Sequence, residues 1–377
     1  TKFNMQLFIQ ICRLLVGLLF IISGLIKAND SLGFAYKLDE YFEVFGTEWM
    51  QSYSLFISVF MCALEMILGF MLLIGSRIKF TLCLLLLTII FFASLNFYSG
   101  YFDKVRECGC FGDAIKLTPW QEFVNNIVML VMTIFMFAGK NNIHPLFGKK
   151  IENIFVLIII VASFGFPLYT YNYLPVKDFR PYAIGKNIQA GMLLPPGAKQ
   201  DSVVMTFIYE KDGRQIELTP EQIKTIDSTY KYIDRKDKII REGEKPPVHD
   251  FSIVSATDGT DYTEQILNDT NYYFFLVAYD LNKTDEDVYG KINDFANLCK
   301  NDGINFIALT ASSDNIESFK RKTGISFEFY LTDQITLKTM IRSNPGLILL
   351  KGGTVIDMWH YHSFPSYTEM KEKYLFR

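Results

Sequence analysis

The sequence has few cysteines and histidines and no cluster of basic residues. Six of its 377 residues are Cys and four are His, and 37 Lys and Arg against 40 Asp and Glu give a net charge of −3. Phosphate binding needs clustered Lys and Arg, so nucleic acid is not expected as a partner. A metal site needs several Cys, His or carboxylate ligands together, and no His precedes His144, so no metal is expected.

Charge is scarce in the first half of the chain. Up to Tyr173 there are 12 Lys and Arg and 11 Asp and Glu, whereas the remaining residues hold 25 and 29. This first half contains five apolar runs of roughly 20 residues, long enough to cross a bilayer as helices. They are predicted at residues 6–26, 53–75, 79–98, 121–139 and 151–173. The first half is therefore predicted to be a membrane domain in contact with lipid, and the second half to be soluble.

Basic residues in two loops predict the orientation. Arg77 and Lys79 lie in one loop and Lys140, Lys149 and Lys150 in another, both on the side of the N-terminus. Lys and Arg accumulate in cytoplasmic loops of membrane proteins. We therefore expect a bacterial inner-membrane protein with its N-terminus in the cytoplasm and its C-terminal half in the periplasm.

The C-terminal half divides into a connector at residues 175–250 and an α/β domain at residues 251–377. In the connector, residues 203–209 and 214–218 flank a turn and predict a β-hairpin. In the domain, strands alternate with helices, and a last hairpin is followed by a helix, an order typical of thioredoxin-like folds. Ser343-Asn344-Pro345 falls where that fold has a cis-proline.

Two of the cysteines are close neighbours. Cys108 and Cys110 lie between the third and fourth predicted spans, on the side assigned to the periplasm. Two thiols one residue apart close a small, strained ring, which favours rapid exchange, so they are a candidate catalytic redox pair. A structural turn and a metal site are the alternatives. The α/β domain has no thiol at residues 279–285, after its first core strand, and cannot carry out dithiol exchange by itself.

Three polar residues of the predicted spans are candidates for binding a cofactor. Arg13 in the first span and Glu65 in the second are predicted at similar depths, so that they can meet. They are expected either to bind the head group of a quinone or another polar ligand, or to form a structural ion pair. Asn96, in the third span, is expected to donate a hydrogen bond either to a quinone oxygen or to a neighbouring helix.

Motifs in the first 140 residues resemble those of a known family. They are Arg13-Leu14-Leu15-Val16-Gly17, Ser23-Gly24-Leu25-Ile26-Lys27, Glu65 with Gly69 and Gly75, and Cys108-Gly109-Cys110-Phe111-Gly112-Asp113. Together they resemble the DoxX/MauE group of four-helix membrane proteins. The resemblance implies a four-helix bundle over residues 1–140 and a quinone-linked or disulfide-forming redox function, which extends to Cys108 and Cys110 through their match to the motif.

The chain is longer than the short members of that group. It adds a fifth transmembrane helix, within residues 141–174, and the C-terminal half. In this it resembles DoxX-family proteins of Bacteroidota-type bacteria, whose tails resemble thioredoxin or peroxiredoxin domains. The expected fold is thus an α-helical membrane bundle, with a four-helix core and a fifth helix, followed by an α/β thioredoxin-like domain.

Two functions follow from this architecture. In the leading hypothesis, Cys108 and Cys110 carry electrons between an extracytoplasmic protein client and the membrane quinone pool, while the thioredoxin-like domain recruits the client. In the alternative, the protein is a non-catalytic membrane anchor or subunit of an envelope complex, and the thioredoxin-like domain serves recognition.

Overall fold

A bundle of membrane helices forms the first half of the protein. The computed structural model describes residues 2–105, 112–115, 117–198, 202–211, 213–227, 229–241, 243 and 245–375. The first α-helices are α1 (Lys2–Asn29), α2 (Ser31–Val44), α3 (Ser54–Ile74), α4 (Ile78–Phe102), α5 (Pro119–Ala138) and α6 (Lys149–Tyr173). In the described chain, α1, α3, α4, α5 and α6 provide five stretches long and apolar enough to cross a membrane. The predicted spans are confirmed, and the chain is a multi-pass membrane protein.

Glycines allow α1 and α3 to pack closely. A Cβ atom on Gly69 would lie 2.8 Å from the carbonyl oxygen of Gly17. A Cβ atom on Gly24 would lie 3.0 Å from the amide nitrogen of Met66. Small residues let membrane helices approach backbone to backbone. This close approach brings the polar side chains of the two helices within reach of one another.

The short helix α2, between the first two spans, was not predicted. Asp30 caps its N-terminus by accepting a hydrogen bond from the amide of Gly33 at 2.9 Å. Phe34, Leu38 and Tyr41 recur at helical spacing and are buried, so one face of the helix packs on the bundle. With 14 residues, several of them charged, α2 is too short and too polar to stand out in a search for apolar runs.

The connector contains a small antiparallel sheet. Its elements are α7 (Ile188–Gly191), β1 (Ser202–Lys211), β2 (Arg214–Leu218), α8 (Pro220–Ile223) and β3 (Lys231–Arg241). The strand order is β2-β1-β3, so β1 lies in the middle and β2 and β3 form the edges. The predicted hairpin of β1 and β2 is confirmed. The third strand, β3, lies in a polar and charged segment that shows no clear strand pattern.

The last part of the chain is an α/β domain. Its elements are β4 (Val254–Ser255), α9 (Thr263–Asn268), β5 (Tyr272–Val277), α10 (Tyr289–Asn301), β6 (Asn305–Thr310), α11 (Ile316–Thr323), β7 (Phe329–Leu331), α12 (Gln334–Met340), β8 (Gly346–Lys351), β9 (Thr354–His360) and α13 (Tyr367–Met370). The sheet order is β4-β7-β6-β5-β8-β9. Strands β5, β6 and β7 are parallel, and β8 and β9 form an antiparallel hairpin beside β5. The predicted thioredoxin-like fold is confirmed.

The central strand β5 is buried on both faces, and residues 274–277 are fully buried. One face packs against α10 and α11 and the other against α9 and α12. The predicted cis peptide bond is present between Asn344 and Pro345, just before β8. The side chain of Asn344 donates a hydrogen bond to the carbonyl oxygen of Asp280 at 2.9 Å, so the loops before β8 and after β5 lie side by side.

A buried histidine at the end of β9 links the stability of this domain to pH. His360 is only 4% exposed, and its Nδ1 accepts a hydrogen bond from the amide of His362 at 3.2 Å. Burial, followed by the nearby charge of His362, lowers the pKa of His360 to about 4. An unfolded histidine has a pKa of about 6.5, so the unfolded state takes up the proton first as the pH falls.

We therefore expect the domain to lose stability as the pH falls from about 6.5 to about 4, by roughly 1 to 2 kcal/mol at pH 5. His360→Asn keeps a hydrogen-bond acceptor but does not titrate, so it should lose less stability than the wild type between pH 7 and pH 5. Thermal unfolding of the full chain in detergent at pH 7 and pH 5 measures the difference. The exposed His249 offers a control, and His249→Asn should behave as the wild type. Equal losses in wild type and His360→Asn would show that another group is responsible.

Candidate functional site

The thioredoxin-like domain contacts the membrane bundle through an arginine next to the cis-proline. Arg342, two residues before Asn344, reaches Asp30 at the start of α2. Its Nε donates a hydrogen bond to Oδ1 of Asp30 at 2.9 Å, and its Nη2 lies 2.9 Å from Oδ2. This is the bidentate geometry in which a guanidinium binds a carboxylate most strongly. The ion pair joins the two halves of the protein.

Both members of this ion pair are held in their charged forms. Burial alone would raise the pKa of the Asp30 carboxyl, but the charge and hydrogen bonds of Arg342 outweigh burial and lower this pKa. Burial alone would lower the pKa of Arg342, but the charge and hydrogen bonds of Asp30 outweigh burial and raise this pKa. The pair is therefore ionised throughout the physiological pH range.

Two tyrosines form a second contact between the halves. The hydroxyl of Tyr36, on α2, donates a hydrogen bond to the hydroxyl of Tyr279 at 3.0 Å. Lys338 places its Nζ 4.7 Å from the centre of the Tyr36 ring. Burial, followed by the neighbouring Tyr279, raises the pKa of Tyr36 well above its usual value. Tyr279 follows β5, where a catalytic thioredoxin would begin its dithiol motif, so α2 contacts this end of the domain.

Cys108 and Cys110 lie outside the described residues, and the structure describes the chain again from Gly112. Gly112 and Asp113 line a cavity of about 70 Å³ between the two halves of the protein. Oδ2 of Asp113 lies 3.7 Å from Nη2 of Arg342. The last two residues of the cysteine motif, Gly112 and Asp113, are therefore part of the domain junction.

The buried carboxylate of Glu65 binds Lys27, and the predicted pairing with Arg13 is wrong. Nζ of Lys27 and Oε1 of Glu65 form an ion pair, and the two side chains are 1% and 3% exposed. The hydroxyl of Ser23 donates a hydrogen bond to Oε2 of Glu65 at 2.9 Å. Lys27 and Ser23 lie one helical turn apart on α1, so both face the same carboxylate.

Arg13 binds the backbone at the end of α3. Its Nε donates a hydrogen bond to the carbonyl oxygen of Leu72 at 2.9 Å, and its Nη2 donates to that of Leu73 at 2.6 Å. The last carbonyl groups of a helix lack partners within the helix and accept such bonds. The long side chain of an arginine can reach toward the end of a span, and counting residues along the helix does not show this.

The residues predicted to hold a quinone do not come together. The polar residues of a cavity beside Glu65 are Ser23, Lys27, Glu65, Glu122, Asn125 and Asn126. Its volume of about 30 Å³ has room for one or two water molecules and not for a quinone ring. Arg13 and Asn96 are not part of its lining, and Asn96 is fully buried elsewhere. The side chains in this arrangement do not fit a quinone.

The other cysteines lie apart from one another. Cys12, Cys62 and Cys299 are buried and Cys83 is exposed, and all four are free thiols. Burial raises the pKa of Cys299, in the thioredoxin-like domain, to about 12. Such a thiol is protonated at neutral pH and unreactive. Among the described residues, no three His, Cys, Asp or Glu side chains form a group that could hold a metal ion.

Two important residues, Lys27 and Arg342, were missed in the sequence. Lys27 stands at the end of an apolar run, just after the predicted span of residues 6–26. Its position one helical turn after Ser23 was a usable signal, since polar residues at that spacing share a helix face. Arg342 precedes the predicted cis-proline, but its partner Asp30 is 312 residues away, and no local pattern indicates such a contact.

Two segments of the chain match known families. Residues 5–139 match the family described as "Methylamine utilisation protein MauE". Residues 203–242 match a "Domain of unknown function (DUF8463)". The predicted resemblance to MauE is confirmed for the membrane domain. The resemblance to DoxX proteins stays a prediction.

Individual proteins are similar over parts of the chain. Protein TlpB of Flavobacterium psychrophilum is 26% identical over 159 residues, which are 39% of this chain and 43% of TlpB. The chain thus matches less than half the length of that relative. The structure of StoA from Bacillus subtilis, at 15% identity and a TM-score of 0.26, covers 32% of this chain and 92% of its own. The structure of BsSco, a member of the Sco family of cytochrome c oxidase assembly proteins, has 12% identity and a TM-score of 0.28. It covers 33% of this chain and 89% of its own.

Removing one member of the buried ion pair should destabilise the bundle. Lys27→Met leaves the carboxylate of Glu65 buried without its counter-ion, which we expect to cost about 3 to 5 kcal/mol. Combining Lys27→Met with Glu65→Leu removes both charges and should recover most of the loss. Unfolding of the purified full chain in mixed detergent micelles with increasing SDS measures both changes.

The exposed pair of Lys322 and Glu286 provides a control, since surface ion pairs contribute little. Lys322→Met should change stability by less than about 1 kcal/mol. If Lys27→Met were as stable as Lys322→Met, the pair of Lys27 and Glu65 would not hold α1 and α3 together.

Proposed function

We propose that the protein is a membrane-bound thiol–disulfide redox protein in which Cys108 and Cys110 exchange with a protein client. The observation that carries this proposal is the position of Gly112 and Asp113, two and three residues after Cys110, at the junction with the thioredoxin-like domain. That domain has one cysteine, Cys299, which is buried and has a raised pKa, so the redox thiols have to come from the membrane domain.

The chemistry is an exchange of two electrons without an external oxidant. The thiolate of Cys108 attacks a client disulfide, a new S–S bond forms, and one client sulfur leaves as a thiolate. The thiolate of Cys110 then attacks Cys108, which releases the second client thiolate and leaves a disulfide between Cys108 and Cys110. The client has gained two electrons and the protein has lost two. The same steps in reverse oxidise a client dithiol.

The proposal includes the bacterial inner membrane, with the cysteine motif and the thioredoxin-like domain in the periplasm. Support comes from the basic loops. The loop that follows α5 contacts the end of α3 through a hydrogen bond from the amide of Leu146 to the carbonyl oxygen of Ile74 at 2.9 Å. These loops therefore lie together at one end of the bundle. Asn29, at the other end of α1, donates a hydrogen bond to the carbonyl oxygen of Lys177 in the connector at 2.7 Å.

The contacts of α2 limit which surface of the thioredoxin-like domain a client can use, but they do not limit which molecule accepts the electrons. Because α2 contacts the end of the thioredoxin-like domain at Tyr279 and Arg342, a client recruited by this domain has to use another of its surfaces. In the reverse direction the cysteines end as a dithiol, and a membrane quinone stays the predicted acceptor of their two electrons, although Arg13, Glu65 and Asn96 do not form a site for it. The exchange described above does not depend on it.

The second candidate function is a non-catalytic anchor or subunit of an envelope complex. The contacts of Arg342 with Asp30 and of Tyr36 with Tyr279 favour it, because they hold the thioredoxin-like domain against the bundle as a rigid recognition unit would require. This candidate predicts that a double Cys108→Ser, Cys110→Ser variant co-purifies with the same proteins as the wild type and supports normal growth.

We expect Cys110→Ser to trap a client on Cys108, because the mixed disulfide then lacks the thiol that resolves it. Non-reducing electrophoresis of membranes, followed by mass spectrometry, should show an adduct that dithiothreitol removes. The control is the double variant Cys108→Ser, Cys110→Ser, which keeps both domains and should form no adduct. Permanently reduced thiols in the wild type, together with no adduct in Cys110→Ser, would disprove the redox proposal.

A further inference from the structure

A partly open apolar cavity of about 370 Å³, the α10 groove, lies on one face of the thioredoxin-like domain. It is formed by α10, the starts of β6 and β8, and the segment between β9 and α13. Its apolar lining includes Phe295, Leu298, Phe306, Leu347, Phe364 and Tyr367. The volume lies in the range of roughly 300 to 1,000 Å³ that is usual for ligand sites. Leu298 is 44% exposed, and such open apolar surface is often covered by a ligand or partner.

One end of the α10 groove is directed toward the membrane bundle. Strand β5 runs toward the bundle, because Tyr279, which follows this strand, contacts Tyr36 on α2. Helix α10 connects β5 to the parallel strand β6 and therefore runs back, away from the bundle. Lys291, near the start of α10, is thus nearer the bundle than Leu298, near its end. At about 1.5 Å per residue the lining extends about 10 Å between them, so the groove is elongated.

The segment between β9 and α13 begins at the end of a membrane span. Nδ1 of His362 donates a hydrogen bond to the carbonyl oxygen of Asn172, in the last turn of α6, at 3.1 Å. The rings of His362 and Tyr173 lie 6.4 Å apart. Tyr169 and Tyr173 are exposed, and tyrosines at the end of a span favour the boundary between membrane and water. Two peptide steps of about 3.8 Å each join His362 to Phe364, so their Cα atoms are at most about 8 Å apart and the groove begins close to this boundary.

The polar groups of the lining favour a hydrocarbon chain over a peptide. The hydroxyl of Ser366 donates a hydrogen bond to the carboxylate of Glu369 at 2.9 Å, and that of Tyr367 donates to Asp302 at 2.6 Å. Both hydroxyls are therefore already used within the domain. A peptide segment in the groove would bury backbone N–H and C=O groups among apolar side chains, which is costly unless they find partners. A hydrocarbon chain has no such groups.

We propose that the α10 groove binds one acyl chain of a membrane phospholipid. Its near end lies beside the last turn of α6, so a chain can enter from the adjacent leaflet while the head group stays at the membrane surface. Lys291 and Asp294 line the groove, are exposed and have opposite charges, so neither an anionic nor a zwitterionic head group is favoured. The bound chain adds a lipid contact to those that hold the domain against α2. This inference goes beyond the proposed redox function and does not require Cys108 or Cys110.

The test is photo-crosslinking of lipid to the full chain. The protein is reconstituted in nanodiscs of phosphatidylethanolamine and phosphatidylglycerol with a trace of phosphatidylcholine that carries a diazirine at the end of one acyl chain. After illumination, mass spectrometry locates the adducts. We expect adducts at residues 291–298 or 364–367 in addition to those in the spans. Wild-type adducts confined to the spans would overturn the proposal, whether or not any variant folds.

Variants of one exposed residue test whether the groove itself holds the chain. Leu298→Glu should reduce the groove adducts by about tenfold or more, because the chain would have to desolvate a carboxylate. Leu298→Met keeps the apolar lining and should keep the adducts. Ile335→Glu is the matched control, since Ile335 lies on α12, on the other face of the sheet, and is 74% exposed. Equal labelling of the groove in Leu298→Glu and Ile335→Glu would count against the proposal.

A protein occupant of the groove would give a different result in cells. The variant Leu298→p-benzoylphenylalanine carries a photoreactive group at the exposed wall of the groove. We expect illumination of cells to give adducts of this chain with the added mass of a phospholipid. Adducts with a protein in place of lipid would overturn the proposal and assign the groove to a client.

Discussion

The bidentate ion pair of Arg342 and Asp30 is the contact on which the arrangement of the two halves depends. Asp30 caps the N-terminus of α2 and binds Arg342 with the same carboxylate. The side chain of Asp30 therefore takes part both in starting α2 and in docking the thioredoxin-like domain. Asn29, the preceding residue, exchanges two hydrogen bonds with the backbone of Lys177. The boundary between α1 and α2 is thus where the bundle, the connector and the domain meet.

A second buried ion pair, of Lys27 and Glu65, lies one helical turn deeper along α1. Unpaired charges inside a membrane domain are costly, so their compensation constrains how helices pack. Here the close approach at Gly17, Gly24 and Gly69 makes that compensation possible. Lys27 lines both the cavity beside Glu65 and the cavity at the domain junction. The side chain of Lys27 therefore lies between the polar interior of the bundle and the surface on which the thioredoxin-like domain rests.

The sequence predicted those features that arise from local patterns. Apolar runs identified the five spans, and alternating strands and helices identified the thioredoxin-like fold, because hydropathy and periodicity are set by which neighbouring residues are buried. The hairpin of β1 and β2 was found from its turn. The helix α2 was missed because its buried face consists of few residues between charged ones.

The partners of the polar residues could not be predicted in the same way. Arg13 and Glu65 were paired by their depth in the membrane alone, but depth does not tell which direction around the helix a side chain takes. Glu65 faces α1 at Lys27, and Arg13 finds carbonyl groups at the end of α3. The contact of Arg342 with Asp30 joins residues far apart in sequence. It depends on how two complete domains dock, which no short segment encodes.

The small sheet of the connector has a further consequence for how copies of the protein behave when crowded in a membrane. Within the described chain, β3 is an edge strand, and such a strand presents backbone groups that can pair with another molecule. Its residues Arg235, Lys236 and Asp237 are exposed and charged. Bringing two such edges together would strip these charged groups of water, which discourages fibre-like stacking. The charged residues of β3 therefore make this edge a poor nucleus for aggregation.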